Sequence, residues 1–173
     1  MLTIRILILS VLFIACSKST QPSTPSGISV SSNSFTNGGQ IPVKYTCDGQ
    51  DISVHIKWSN YPQETKSFVL IMSDPDAPGS TFYHWILYDI PANINEIQEG
   101  QSVGVKGRND FGNLGYNGPC PPSGDPAHRY YITIYALNVQ SLALNQGADA
   151  NQVLQAMEGK IITKGQIYGT YKR

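Results

Sequence analysis

The stretch that decides the fold lies between residues 67 and 88 and reads Ser67-Phe-Val-Leu-Ile-Met-Ser-Asp-Pro-Asp-Ala-Pro-Gly-Ser-Thr-Phe-Tyr-His-Trp-Ile-Leu-Tyr88. Its first part, 67–72, is a continuous apolar run, which is typical of a strand covered on both faces. Residues 82–88 form a second run of β-forming residues. Between them, Pro75 and Pro78 fix φ and remove backbone donors, so the connecting loop can keep its shape without ladder hydrogen bonds. The stretch therefore predicts two strands with a stiff loop that ends near His84.

A second segment has the same design. It runs Gly118-Pro-Cys-Pro-Pro122 and continues to His128-Arg-Tyr130. The residues from 130 to 137 contain too many β-formers for a favoured helix. Each segment thus joins a proline-stiffened loop to a histidine at the edge of a strand, an arrangement that favours a small polar pocket for an anion on a rigid frame.

The remaining pattern predicts a mainly β protein. Shorter strands are expected near 41–45, 55–58, 103–106 and 166–171. One helix is expected, over 148–158, with Asp149 as its N-cap and Gly159 just past its end. Many short strands with one helix near the C-terminus predict a β-sandwich of two antiparallel sheets with Greek-key-like connections.

Strand alternation groups the candidate site residues. It predicts that His84 shares a face with Phe82, Ile86 and Tyr88, and that His128 shares one with Tyr130 if that strand already begins at His128. Two imidazoles and a phenol offer N–H and O–H donors that suit phosphate or carboxylate oxygens.

The carboxylates have two interpretations. Asp74 or Asp76 could orient a histidine or accept a ligand's ammonium group, which would suit a zwitterion such as phosphoethanolamine. Alternatively, Asp-Pro-Asp is a common turn sequence whose aspartates cap their own loop. In the same way, His84 alone could be a core residue and His128 alone a strand start.

The front of the chain has the layout of an export signal. Residues 1–15 contain one basic residue, Arg5, and an apolar stretch too short to span a bilayer comfortably. An alanine stands directly before Cys16, which resembles the bacterial lipobox, in which the cysteine is lipidated. An ordinary signal peptide with a chance cysteine is the alternative. We expect residues 16–27 to form the lipid-bearing cysteine and a flexible tether, and residues 28–173 to form a single domain. The lipid would hold this domain on a membrane of the cell envelope, facing the periplasm or exterior.

The charge of the chain argues against one class of function, and its cysteines allow a disulfide. The chain has 12 basic and 12 acidic residues, so it lacks the electrostatic footprint of a nucleic-acid-binding protein. Cys47 and Cys120 are the two cysteines that follow Cys16. In an exported protein they invite a disulfide, but two separate buried thiols are equally compatible with the sequence.

The two proline-stiffened segments and several shorter stretches resemble the phosphatidylethanolamine-binding protein family, and more narrowly its bacterial Raf-kinase-inhibitor-like branch. The resemblance extends from about residue 28 to residue 173. The stretches that carry it are Tyr45-Thr-Cys-Asp-Gly49, Asp74-Pro-Asp-Ala-Pro78 with His84-Trp85, Gly107-Arg-Asn-Asp-Phe-Gly112, Gly118-Pro-Cys-Pro-Pro-Ser-Gly124 with His128-Arg-Tyr130, and Gly169-Thr-Tyr171.

The resemblance implies a β-sandwich with an anion-binding cavity at one end. The family's pocket residues correspond to Asp74, His84, His128 and Tyr130, and its wall to Pro78, Pro121 and Pro122. The residue whose backbone amide helps to hold the anion is Cys120 here, where animal members have glycine. The family's eukaryotic members bind phospholipid head groups and kinases, and some relatives inhibit proteases.

Three functions follow as hypotheses. The preferred one is non-enzymatic binding of a small anion or phospholipid head group, with no catalytic residue, metal or cofactor. The second is a partner-binding or protease-inhibiting protein whose pocket receives a peptide carboxylate. The third and least favoured is a histidine-dependent hydrolase, because Ser73 lacks a Gly-x-Ser-x-Gly elbow and no compact metal-ligand spacing such as His-Glu-x-x-His is present.

Overall fold

A computed structural model describes residues 27–173, and these fold into two antiparallel sheets with one α-helix, as predicted. A five-stranded sheet has the order β6-β4-β3-β7-β8, and a three-stranded sheet has the order β1-β2-β5. The elements are β1 Ser29–Ser31, a 3-10 turn Val43–Tyr45, β2 Ile56–Ser59, β3 Ser67–Asp74, β4 Phe82–Pro91, β5 Glu96–Ile97, β6 Val105–Lys106, β7 His128–Leu137, α1 Ala150–Met157 and β8 Ile161–Tyr171. The predicted signal segment 1–15, Cys16 and the tether up to residue 26 lie outside the described residues.

The central strand β3 is covered on both faces, as its continuous apolar run predicts. Phe68, Leu70 and Met72 point into the core between the two sheets. Val69 and Ile71 point the other way, into a second core beneath α1. The five-stranded sheet is therefore the middle layer of the domain, and its central strand can carry a polar residue only at an end.

The predicted helix is present, with the predicted cap. Asp149 accepts a hydrogen bond from the backbone N–H of Gln152, whose side chain bonds back to the N–H of Asp149. Val153 and Met157 are fully buried against the second core, whereas Leu154 is only partly buried. Within residues 27–173 no helix is long and apolar enough to cross a membrane.

One predicted strand is wrong. Residues 41–45 do not form a strand: Ile41 donates one backbone bond to Thr170, and Val43–Tyr45 forms a 3-10 turn closed by a bond from the N–H of Tyr45 to the carbonyl of Pro42. Pro42 has no N–H to give to a ladder, which favours the turn. The other three short strands are confirmed with shifted boundaries.

A β-bulge at His84 overturns part of the predicted face of that residue: its imidazole lies beside Phe82, with ring centroids 5.0 Å apart, but not beside Ile86 or Tyr88. Met72 pairs with Trp85 and Ser73 pairs with Tyr83, so His84 is an extra residue in β4. Ile86 and Tyr88 consequently belong to the second core, on the helix side. The imidazole of His84 instead contacts the ring of Tyr130, with ring centroids 5.2 Å apart, and Tyr130 belongs to the core between the sheets.

The connections bring distant segments to one end of the five-stranded sheet. After β4 the chain passes through β5 in the other sheet and β6, and it returns on the far side of β3 as β7. This non-local return places the start of β7 beside the end of β3. The two proline-stiffened loops of the sequence therefore meet in space.

Candidate ligand-binding site

A cleft of about 180 Å³ opens where β3 ends and β7 begins. This is more space than one water molecule needs. Both proline-stiffened loops contribute to it. The lining residues are Asp74, Ala77, Pro78, Phe82, His84, Phe111, Cys120, Pro121, Pro122 and His128.

One side of the cleft, which we call the strand wall, consists of Asp74 and His128, which line it, and of Tyr130, which was expected at the site but packs against His128 without lining the cleft. The Nδ1 of His128 donates a hydrogen bond to Oδ2 of Asp74 at 2.7 Å, and both side chains are buried. The other oxygen of Asp74 accepts the backbone N–H of Asp76 at 2.9 Å. Asp74 therefore does both things that the sequence allowed: it caps its own loop and it orients a histidine.

Tyr130 is the most buried member of the strand wall. The strand expected over 130–137 begins two residues earlier, at His128, which meets the condition under which Tyr130 and His128 share a face. The Tyr130 ring lies against both imidazoles, with centroids 5.2 Å from His84 and 6.4 Å from His128. Its hydroxyl has no acceptor in regular hydrogen-bond geometry among the described residues, although the carboxylate of Asp74 lies close enough to act on it. Burial, reinforced by the charge of Asp74, raises the pKa of Tyr130 far above its usual value, so the phenol stays protonated as a donor.

The opposite side of the cleft, which we call the loop wall, consists of residues 117–122. Its backbone orients His84: the Nδ1 of His84 lies 3.0 Å from the carbonyl oxygen of Asn117 and 3.1 Å from that of Gly118. Because carbonyls only accept, Nδ1 carries the proton. Burial lowers the pKa of His84, although the two carbonyls and the charge of Asp74 oppose that effect. His84 is thus a neutral imidazole whose Nε2 makes no hydrogen bond within residues 27–173.

The loop wall is tied to a distant segment. A disulfide joins Cys120 to Cys47, with Cα atoms 5.4 Å apart and 73 residues between them in sequence. The hydroxyl of Tyr116 donates to the carbonyl of Tyr45 at 2.6 Å. Gly118 packs so closely on Tyr45 that a Cβ would collide with its carbonyl oxygen. Of the two interpretations of the cysteines, the structure has the bridge.

The loop wall also offers a backbone donor. The N–H of Cys120 has no hydrogen-bond acceptor among the described residues, whereas Pro121 and Pro122 have no N–H at all. Gly118 donates its own N–H to the carboxylate of Asp51 at 2.6 Å. The amide of residue 120 is therefore the part of this wall that can donate to an anion.

Asp76 is not brought to the cleft. Its carboxylate accepts from Nε of Arg129 at 2.8 Å, from the Arg129 Nη2 at 2.6 Å and from the Arg129 backbone N–H at 2.9 Å. Hydrogen bonding to Arg129 lowers the pKa of Asp76 to about 2. The second aspartate of Asp-Pro-Asp thus fixes the outer side of the loop to β7.

Several residues of the site were not identified from the sequence. Phe111 lines the cleft at 44 % exposure and packs edge-on against Phe82, with ring centroids 4.8 Å apart. Asp125 places a carboxylate oxygen 3.7 Å from Nε2 of His128. Asp51 holds the loop wall. Phe111 belongs to the stretch 107–112 that carries the family resemblance, but no local pattern assigned these three residues to the site, because each reaches it through a loop.

The third histidine, His55, does not line the cleft. Its Nδ1 accepts the N–H of Asn33 at 3.0 Å, and its Nε2 lies 2.8 Å from the carboxylate of Glu96. Among residues 27–173, no cluster of His, Cys, Asp or Glu side chains is arranged to hold a metal ion.

Comparison with known proteins gives a consistent result. The sequence profile of the family described as phosphatidylethanolamine-binding protein matches residues 31–172. A protein of Aquifex aeolicus, named UPF0098 protein, is 53% identical over 150 residues, which is 83% of this chain and 88% of the relative.

Two crystal structures resemble the described fold. The phosphatidylethanolamine-binding protein homologue CT736 of Chlamydia trachomatis has a TM-score of 0.80 and 39% identity over 86% of this chain and 99% of its own. YbcL of E. coli, described as a new member of the mammalian PEBP family, has a TM-score of 0.81 and 30% identity over the same shares of the two chains. None of these names specifies an enzymatic activity. The profile match, the sequence identities and the shared fold together establish that this chain belongs to the phosphatidylethanolamine-binding protein family.

Proposed function

We propose that the protein binds a small anion, or the anionic head group of a phospholipid, in the cleft between the strand wall and the loop wall, and that it does so without turnover. The observation that carries this proposal is a pair of nitrogens that lining residues bring to the cleft, Nε2 of His84 and the backbone N–H of Cys120, neither of which makes a hydrogen bond within residues 27–173. A ligand oxygen would give the amide a partner, and an N–H withdrawn from water without one costs about 1–3 kcal/mol.

Donors at the cleft can meet such a ligand. The backbone N–H of Cys120 donates one hydrogen bond to an oxygen, and the buried phenol of Tyr130 packs against both imidazoles. His84 and His128 each use Nδ1 within the protein, which leaves Nε2 of His84 for a ligand, whereas Nε2 of His128 already lies 3.7 Å from a carboxylate oxygen of Asp125. A phosphate or carboxylate suits this set because its oxygens accept several bonds at once.

A hydrogen bond from His84 to an anion requires a second proton on the imidazole, at Nε2. Since Nδ1 already carries one proton, Nε2 can donate only when the ring is imidazolium. Asp74 is a buried carboxylate at the same site, so the added charge on His84 also offsets its repulsion of the ligand. We therefore expect the anion and one proton to bind together.

The three histidines provide the test. Titration with phosphate, acetate and phosphoethanolamine, followed by the imidazole NMR signals, should shift His84 and His128 and leave His55 unchanged. Calorimetry on the same samples should detect binding heat. Absence of both heat and shifts at His84 and His128, for every probe, would contradict the proposal.

Matched histidine variants test whether the probes bind in the cleft. His84→Gln removes the ring from the cleft and should abolish binding of the probes, whereas His55→Gln should leave binding unchanged. Phosphoethanolamine that binds more tightly than phosphate would assign the natural ligand to head groups, since its ammonium can pair with a carboxylate of the site.

A second candidate has its own supporting observation. The exposed ring of Phe111 stands at the cleft beside Pro121 and Pro122. A peptide that ends in an apolar residue could place its carboxylate in the cleft and its side chain on Phe111. Tighter binding of a free-acid peptide than of the same peptide amide would favour this partner-binding function.

Hydrolysis receives no support from the site. Ser73 precedes Asp74 in β3 and is not among the residues that line the cleft, so the His128–Asp74 pair has no hydroxyl nucleophile there. Ester or phosphoester turnover that is lost in His128→Ala would overturn this assignment.

We further propose that the domain works in the cell envelope, anchored by lipid on Cys16. Two independent observations support this location. The sequence around Cys16 resembles a lipobox, and the disulfide between Cys47 and Cys120 is of a kind that persists in oxidising compartments. Metabolic labelling with a radioactive fatty acid should mark the wild type and not Cys16→Ala.

A further inference from the structure

His84 is oriented by two carbonyls, and those carbonyls are themselves held in place. The Asn117 carbonyl and the Gly118 N–H belong to a single peptide unit. That N–H donates to Oδ1 of Asp51 at 2.6 Å, while the carbonyl accepts from Nδ1 of His84 at 3.0 Å. A carboxylate, a peptide and an imidazole therefore form one hydrogen-bonded chain.

Such a chain is cooperative. A charged acceptor on the N–H of a peptide polarises the carbonyl of the same peptide and strengthens the bond that the carbonyl accepts. A carboxylate that acts on a histidine through its N–H fixes the tautomer and raises the basicity of the ring. Here the same influence passes from Asp51 to His84 through one peptide group.

Asp51 makes a second bond to the same loop. Its Oδ2 accepts from the side-chain amide of Asn117 at 2.8 Å. The oxygen of that amide accepts from the side-chain amides of Asn109 and Asn113, both at 2.9 Å. The Asn117 amide has donors facing its oxygen and a carboxylate facing its nitrogen, so its orientation is determined.

The backbone at Asp51 is also unusual. Its φ is +54°, in the left-handed region that non-glycine residues rarely adopt. Aspartate tolerates this region better than most residues. Such conformations persist where the surroundings impose them, and they are concentrated at functional sites.

We propose that Asp51 is a positioning residue of the cleft: it holds the peptide between Asn117 and Gly118 so that the proton of His84 stays on Nδ1 and Nε2 remains available to the ligand. The part of this inference that concerns the ligand rests on the proposed function. The part that concerns the tautomer of His84 does not.

The first measurement uses the unmodified protein. Imidazole ¹⁵N shifts at neutral pH should report His84 as the tautomer with its proton on Nδ1. If His84 carries its proton on Nε2 instead, the proposal is overturned without any variant.

The decisive variant is Asp51→Asn. Its amide oxygen can still accept from Gly118, but its amide nitrogen then faces the amide nitrogen of Asn117, donor against donor. We expect His84 to become a mixture of tautomers and the affinity for sulfate to fall about tenfold, the lower end of what loss of an orienting partner costs at histidine metal sites. An unchanged His84 spectrum in folded Asp51→Asn would overturn the proposal.

The double variant Asp51→Asn/Asn117→Asp restores a matched donor and acceptor between the side chains of residues 51 and 117. An asparagine at 51 accepts from Gly118 and donates to the new carboxylate at 117, whose other oxygen still accepts from Asn109 and Asn113. We expect the wild-type tautomer of His84 to return, even if the single variant does not fold. A folded double variant with a disturbed His84 would count against a positioning role.

Asp48→Asn is the matched control. Asp48 lies in the same segment, but it bonds to Tyr171 at 2.7 Å and Arg173 at 3.1 Å and not to the peptide between Asn117 and Gly118. Arg173 in turn contacts the loop wall at Sγ of Cys120, 3.7 Å away and on the far side of Pro119 from that peptide. It should leave the His84 tautomer and sulfate affinity unchanged, and a change as large as that in Asp51→Asn would overturn the specific role of Asp51. If the wild type binds no sulfate, phosphate or acetate but its tautomer responds to Asp51→Asn, the proposed function fails and the positioning role stands.

Discussion

The two walls of the cleft are built in different ways. The strand wall places Asp74 and His128 at adjacent ends of β3 and β7, so sheet register brings them within 2.7 Å. The loop wall belongs to no strand or helix: the disulfide, the carboxylate of Asp51 and close packing on Tyr45 hold it. Regular secondary structure thus supplies one half of the site, and contacts between segments far apart in sequence supply the other.

This difference has a physical consequence. A side chain on a central strand is fixed by many ladder bonds and by burial, so losing one contact there disturbs it little. A loop without ladder bonds depends on each of its few attachments. We therefore expect substitutions in the loop wall to cost more stability than substitutions in the strand wall.

The largest effect is expected from Gly118→Ala. A Cβ at this position collides with the backbone carbonyl of Tyr45, and backbone cannot move aside as a flexible side chain can. We expect a loss of about 4 kcal/mol or more in the free energy of unfolding, measured with urea. Gly124→Ala, whose Cβ meets open space at a φ of +93°, should cost about 1–3 kcal/mol from backbone strain. Equal losses in the two variants would contradict the close packing of the loop wall.

Removal of the disulfide should come next. The double variant Cys47→Ala/Cys120→Ala frees a loop closed over 73 residues of sequence separation, and we expect it to lose about 3 kcal/mol. Ligand affinity should fall as well, because the backbone N–H of residue 120 is no longer held. Reduction of the wild type should reproduce both losses. An unchanged urea midpoint would show that the loop wall does not depend on the bridge.

The pH dependence of anion binding tests the role of His84, which lies where the two walls meet. The titratable groups near its imidazole are Asp74, His128 and Tyr130, together with Asp110, which acts through its charge while it accepts the backbone N–H of Tyr83. Burial lowers the pKa of His84 in the free protein, and in the proposed complex its Nε2 can donate only as imidazolium, so we expect binding to take up a proton. Affinity for sulfate should then rise about tenfold for each pH unit lowered, until the pH falls below the pKa of free His84.

The stability of the free protein should change in the opposite direction. Folding favours neutral His84, so unfolded protein binds the proton more readily, and the free energy of unfolding decreases as the pH falls below the ordinary imidazole value of 6.5. His84→Gln should remove both trends. A sulfate affinity that does not vary with pH would contradict proton uptake.

Tyr130→Phe tests the strand wall. Because the hydroxyl is buried without an acceptor in regular geometry, its removal should not destabilise the free protein and should stabilise it by about 1 kcal/mol. Affinity for phosphate should change less than in His84→Gln, because Tyr130 does not line the cleft. A stability loss like that of Gly118→Ala would show that the two walls do not differ as described.

The smallest effect is expected outside both walls, at Asp76. Its partner Arg129 is half exposed, so solvent screens the pair and Asp76→Asn should cost less than about 1 kcal/mol. The pKa of Asp76 is lowered from 3.8 to about 2. Its contribution is therefore present above pH 4 and is lost as the pH falls towards about 2, which acid titration of wild type and variant can detect. Ligand affinity should not change, because the carboxylate lies outside the cleft.

The sequence predicted the regular elements well because their signals are local. The apolar run of β3, the β-formers of β7 and the cap at Asp149 each depend on neighbours within a few residues. The predicted strand at 41–45 was wrong because Pro42 favours a turn there. The predicted face of His84 was right for Phe82 and wrong for Ile86 and Tyr88. A β-bulge changes the alternation there, and a bulge depends on the partner strand as well as on β4 itself.

The sequence by itself determined which chemical groups are present and which strands carry them: imidazoles at 84 and 128, a carboxylate at 74 and a phenol at 130. Only the tertiary structure decided which carboxylate orients a histidine, which one pairs with Arg129, and how Asp51 and Cys47 reach the loop wall. Periodicity is a property of consecutive residues, whereas these contacts join residues about 50 to 70 positions apart. Their geometry follows from how the chain returns across the sheet, which no local pattern encodes.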